Sequence, residues 1–131
     1  MSKETKRKLS WLAVICMTLS LFVLAFTMGF RNPERVREMT LVAKEMAFYL
    51  EGSNLPNPPL MFHIGEEVRI RFINQDFGML HDVAFNELGV ATGKVRYGEE
   101  AVVEFRPKLL KESEYLCTFH PAAMKGKLLV Q

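Results

Sequence analysis

The sequence predicts an all-β sandwich preceded by a single transmembrane α-helix. Three observations predict this. An uncharged apolar run extends from Leu9 to Phe30. After about residue 39 the apolar residues come in short runs with strand-like alternation, as in Val68-Arg69-Ile70-Arg71-Phe72-Ile73-Asn74. Gly, Pro and Asn punctuate those runs at short intervals, which is the spacing of a sandwich or barrel.

The N-terminal part divides into a basic tail (1–8), a membrane span (9–30) and a linker (31–38). The tail carries Lys3, Lys6, Arg7 and Lys8. The span has 22 residues, and at about 1.5 Å each it reaches roughly 33 Å, enough for a bilayer core of about 30 Å. Positive charge ahead of the first span holds the N-terminus in the cytoplasm and sends the rest outside. A cleaved signal peptide is the competing reading, but its apolar region is usually shorter and ends in a small-x-small site. Ala25-Phe26-Thr27 matches such a site poorly, and Ile15 before Cys16 is too large for a lipoprotein signal. Both readings export the folded part to the periplasm or cell exterior. Arg31 to Glu38, dense in charge and holding Pro33, reads as a solvated stalk at the membrane surface.

Residues 39–131 form the expected folded domain. Met39 to Tyr49 reads as a first strand with a bulge, and Glu51 to Pro59, rich in Pro, Asn and Gly, as a loop. Gly65-Glu66-Glu67 makes a turn into the strand that ends at Asn74. Further strands are expected at His81–Phe85, Ala101–Phe105, Glu114–Phe119 and Lys127–Val130, with a turn of helix within Lys108–Ser113.

Charge narrows the function. Residues 1–38 hold seven Lys/Arg against three Asp/Glu, and residues 39–131 hold ten against twelve. The basic excess therefore belongs to the anchor, and the folded part offers no basic face for nucleic acid.

The chemistry concentrates in Tyr115-Leu116-Cys117-Thr118-Phe119-His120-Pro121-Ala122-Ala123-Met124, with a second imidazole at His81. Two His, one Cys and a weakly bound Met are the ligand set of electron-transferring copper sites, in which thiolate suits Cu(I) and imidazole serves both oxidation states. Cys16 falls in the span, so Cys117 has no partner in its own chain, and a metal is one natural occupant of an exported thiol. A structural zinc site would show more Cys or His at closed spacing. His63 reads as a surface residue, Met46, Met61 and Met79 as scattered gap-fillers, and Asp76 and Glu87 as solvated loop charges.

Segment 39–131 resembles the cupredoxins, in particular the plastocyanin and amicyanin group. The likeness runs through Gly65-Glu66-Glu67-Val68, the strand ending in Asn74, the His81-Asp82-Val83-Ala84-Phe85 run and the ligand loop. It implies a Greek-key sandwich holding one copper ion on His81, Cys117, His120 and Met124. It also implies redox protein partners, such as a cytochrome or a membrane oxidase or reductase complex, docking near His120. Pro121-Ala122-Ala123 and Gly78-Met79-Leu80 are small or apolar enough for such a face. The sequence departs from the group in two ways. Three residues separate His120 from Met124, and Asp82 stands where the group usually has Asn. An ionised carboxylate there favours Cu(II) and lowers the potential.

The expected function is thus a membrane-anchored carrier of single electrons rather than an enzyme, since the four ligands leave no open position for substrate. Two alternatives remain: copper storage or delivery, and a redox or structural subunit of a respiratory or photosynthetic complex. A binuclear copper centre needs two cysteines in the loop, and Cys117 is alone there.

Overall fold

The computed structural model describes residues 36–109 and 111–131. The expected tail, the membrane span at 9–30 and residues 31–35 of the linker lie outside the described residues. Among the described residues no helix is long and apolar enough to cross a membrane.

The described residues form nine strands: β1 (Val36–Lys44), β2 (Ala47–Leu50), β3 (Leu60–Phe62), β4 (Glu67–Asn74), β5 (Ala84–Phe85), β6 (Val90–Ala91), β7 (Glu100–Phe105), β8 (Lys111–Leu116) and β9 (Lys125–Val130). They make two mixed sheets, one ordered β2-β1-β4-β7 and the other β3-β9-β8-β5-β6. Each sheet has one parallel pair, β1 with β4 and β3 with β9, among antiparallel neighbours. The expected all-β sandwich is the architecture observed.

β4 shows how the alternating sequence positions the core. Val68, Ile70, Phe72 and Asn74 are buried, while Arg69 and Arg71 face solvent. On that outer face Arg69 pairs with Glu38 of β1 and Glu104 of β7, and Arg71 with Glu100. Exposed pairs of this kind add little stability, but opposite charges on facing strands favour this register over a slipped one. Between the sheets, aromatic rings meet from both sides. Phe48 of β2 lies 5.3 Å from Tyr115 of β8, and Phe62 of β3 lies 5.4 Å from Phe105 of β7.

Three local expectations change. Val36 to Glu38 belong to β1 rather than to the linker, paired with Glu67 to Arg69 of β4. The segment 39–49 is two strands, not one bulged strand. The chain reverses at Glu45 and Met46, both with positive φ (52° and 59°), the conformation of a type I′ hairpin turn. No Gly or Asn marks that turn, so the sequence gives no signal for it. Finally, Lys111 to Ser113 are strand rather than helix, because they pair with Val130 to Leu128 of β9. β8 then ends at Leu116, and Cys117 to Phe119 are released into a loop.

Candidate metal centre

Two loops at one end of the sandwich carry the predicted residues. The first leaves β4 at Asn74 and reaches His81. Asn74 is fully buried and acts as a hub: its amide donates to the carbonyls of Met79 and Val95, both at 3.0 Å, and its Oδ1 accepts from the Asp76 N–H at 2.9 Å. His81 is pinned by a two-way backbone bridge to Val95, at 3.1 and 2.8 Å. A buried amide with each partner supplied is rigid, and that rigidity aims the His81 ring.

The second loop joins β8 to β9 and is closed by its own backbone. The Cys117 N–H donates to the Met124 carbonyl at 2.9 Å, and the Met124 N–H donates to the His120 carbonyl at 2.9 Å. Asp82 ties this loop to the strand that follows His81. Its carboxylate accepts from the Thr118 N–H at 2.6 Å and from the Thr118 hydroxyl at 2.5 Å.

These constraints bring His81, Cys117 and His120 together, with one ligand atom of each within 4.8 Å of the others. Cys117 Sγ is 3.7 Å from His81 Nδ1 and 3.7 Å from His120 Nδ1, and the two Nδ1 atoms are 3.2 Å apart. Donors at about 2.0–2.3 Å from a shared centre, at angles of about 105–120°, lie roughly 3.2–3.8 Å apart. The triangle has the right size for one ion, and its soft sulfur with two imidazoles fits a single copper ion. His81 and Cys117 are fully buried, and His120 is half-buried. Burial pushes the Cys117 thiol up from its ordinary range, and backbone groups of Asp82, Phe119 and His120 pull it down.

Met124, the fourth residue predicted, is fully buried in the same core cluster as Cys117 and seals the base of the loop. His63 is exposed, as expected, and lies outside the cluster. Glu87 is an exposed charge paired with Lys111. Asp76 is the correction. Expected as a solvated loop charge, its carboxylate is only 13% exposed and sits 2.8 Å from His81 Nε2. The sequence held no signal for this contact, since it depends on how the loop after Asn74 folds back.

No protein-family model matches the sequence, and no curated protein sequence matches it. Solved structures do. Rusticyanin from Thiobacillus ferrooxidans aligns with a TM-score of 0.61 at 18% identity, over 76% of this chain and 79% of its own. Auracyanin A, a "blue" copper protein from the green thermophilic photosynthetic bacterium Chloroflexus aurantiacus, aligns with a TM-score of 0.58 at 18% identity, over 74% of this chain and all of its own. A chain of a heme-copper terminal oxidase dimer aligns with a TM-score of 0.60 at 14% identity, over 98% of this chain and all of its own. Together with the sheets and loops above, these likenesses identify the architecture: the chain has the cupredoxin fold, with a His–Cys–His cluster where its two loops meet.

Proposed function

We propose that this protein is a type 1 copper protein that carries single electrons between redox partners on the outer face of a membrane, to which residues 9–30 anchor it. The observation that carries the reading is the triangle of His81 Nδ1, His120 Nδ1 and Cys117 Sγ. Bound copper supplies a one-electron Cu(II)/Cu(I) couple. His81, Cys117 and His120 would hold the ion, with the Met124 thioether as a fourth, weaker donor. The backbone closure of the Cys117–Met124 loop and the Asn74 hub keep the donors in place, so gaining or losing an electron requires little rearrangement. The fold shared with rusticyanin and auracyanin accords with this chemistry.

Electrons would enter and leave by way of His120, which is half-buried. Around it in sequence, Phe119 is 45% exposed and Pro121, Ala122 and Ala123 are exposed, a small apolar face suited to brief encounters. A second reading, a redox subunit held in a membrane oxidase complex, is favoured by the oxidase likeness that extends over 98% of this chain.

Cys117→Ser and His120→Ala in the full-length chain test the ligand assignment. Each is expected to abolish the intense thiolate-to-copper absorption, or to weaken copper retention at least tenfold, while the fold persists. Retention of the wild-type spectrum in either variant refutes the assignment. Carbonate extraction of membranes tests the anchor: the chain should stay in the pellet, and release into the supernatant refutes anchoring by 9–30.

A further inference from the structure

The His81 ring has two nitrogens, and the cluster uses one. Nδ1 faces Cys117 and His120, and Nε2 points the other way, to Asp76 Oδ2 at 2.8 Å. The same carboxylate accepts the Glu45 N–H at 2.5 Å and the Met46 N–H at 3.1 Å. Those amides belong to the left-handed corner between β1 and β2. Asp76 is held in turn by its own N–H, which donates to Asn74 Oδ1, and by its carbonyl, which accepts from the Met79 N–H. One nearly buried carboxylate therefore joins a hairpin corner, the Asn74 hub and the back of a cluster imidazole.

A histidine that gives one nitrogen to a metal needs its proton on the other, and a partner for that proton fixes both tautomer and ring orientation. A carboxylate partner also makes the imidazole a stronger donor and places negative charge behind it. We infer that Asp76 is a positioning residue for the metal centre: it holds His81 with the proton on Nε2 and Nδ1 toward the cluster, and it biases the site toward the oxidised ion. The first half rests on geometry alone, and the second rests on the copper reading above. The effect is separate from that of Asp82, whose carboxylate is bonded to Thr118 on the other loop.

Two readouts on the full-length chain test this. In the metal-free protein at mildly alkaline pH, long-range nitrogen–proton spectra of the imidazoles should show His81 protonated on Nε2, and a proton on Nδ1 overturns the positioning claim. This readout needs no variant. In the copper-loaded protein, Asp76→Asn keeps a carbonyl for the Nε2–H and removes the charge. Its preference for Cu(II) over Cu(I) should fall at least tenfold, read as a midpoint potential about 59 mV higher for the one electron exchanged with the electrode. Asp76→Glu should restore most of the wild-type potential, and Glu104→Gln, the same charge loss on the outer face of β7, should shift it far less. An unchanged potential in Asp76→Asn, or an equal shift in Glu104→Gln, overturns the bias. Failure of the wild-type chain to take up copper sinks the proposed function and the bias together, while the tautomer still decides the positioning of His81.

Discussion

Thr118 presents both its backbone N–H and its hydroxyl to the Asp82 carboxylate, which is 5% exposed. This tie sets the distance between the strand after His81 and the loop that begins at Cys117. Asp82→Ala leaves a polar amide without its acceptor and should cost about 1–3 kcal/mol by chemical denaturation. Asp82→Asn keeps an oxygen for the Thr118 N–H, so stability should change little while voltammetry reads a higher potential. Tyr115 poses a different question of charge. Its hydroxyl donates to the Pro58 carbonyl at 2.6 Å, and burial pushes the phenol up. The unfolded chain therefore loses this proton at a lower pH than the native protein. The Tyr115 contribution is fully present below the ordinary phenol range of about 10 and is lost as pH rises through the higher native value. Denaturation of wild type against Tyr115→Phe should show a gap of about 1–2 kcal/mol at neutral pH that narrows in strong alkali. The meeting of His81, Cys117 and His120 was legible in the sequence because a thiol and two imidazoles occur there at a spacing that few other sites share. Asp76 was not, since a lone aspartate after a strand looks like any loop charge. Its partners Glu45 and Met46 lie 31 and 30 residues away.

At the scale of elements, strands with a polar and an apolar face could be read directly, and β4 is the clearest case. β1 and β2 could not be separated, because their turn uses two residues that rarely adopt positive φ. Glu45 is exposed, so Glu45→Asn should relieve backbone strain without loss of packing and stabilise the protein by about 0.5 kcal/mol. An unchanged or lower midpoint of urea unfolding would count against strain at that corner. β8 and β9 meet through a different constraint. Tyr115 faces Gly126 across the ladder, and a Cβ at Gly126 would lie only 2.4 Å from the edge of the Tyr115 ring. Gly126→Ala should displace that ring and cost about 1–3 kcal/mol or more. β3 escaped the sequence reading because Leu60-Met61-Phe62 is short and follows two prolines. Its three residues are recruited as an edge by parallel pairing with β9.

Over the whole molecule, the sandwich brings together groups that the sequence holds far apart. His81 and Cys117 are separated by 36 residues and meet because β4 and β8 lie in different sheets whose ends converge through Asn74, Val95 and Asp82. The fold class was legible since alternation and turn residues are local properties. The sheet order was not, since the parallel pairing of β1 with β4 and of β3 with β9 depends on contacts between distant segments. On the function proposed above, this arrangement makes a mononuclear copper site suited to one-electron transfer. Its most direct test is the visible absorption and electron-spin-resonance spectrum of the full-length chain with one equivalent of Cu(II), before and after reduction. The expected result is an intense thiolate-to-copper band with a mononuclear resonance, both of which vanish on reduction and return on reoxidation. A colourless protein, or one that yields its copper at once to a mild chelator, would contradict it.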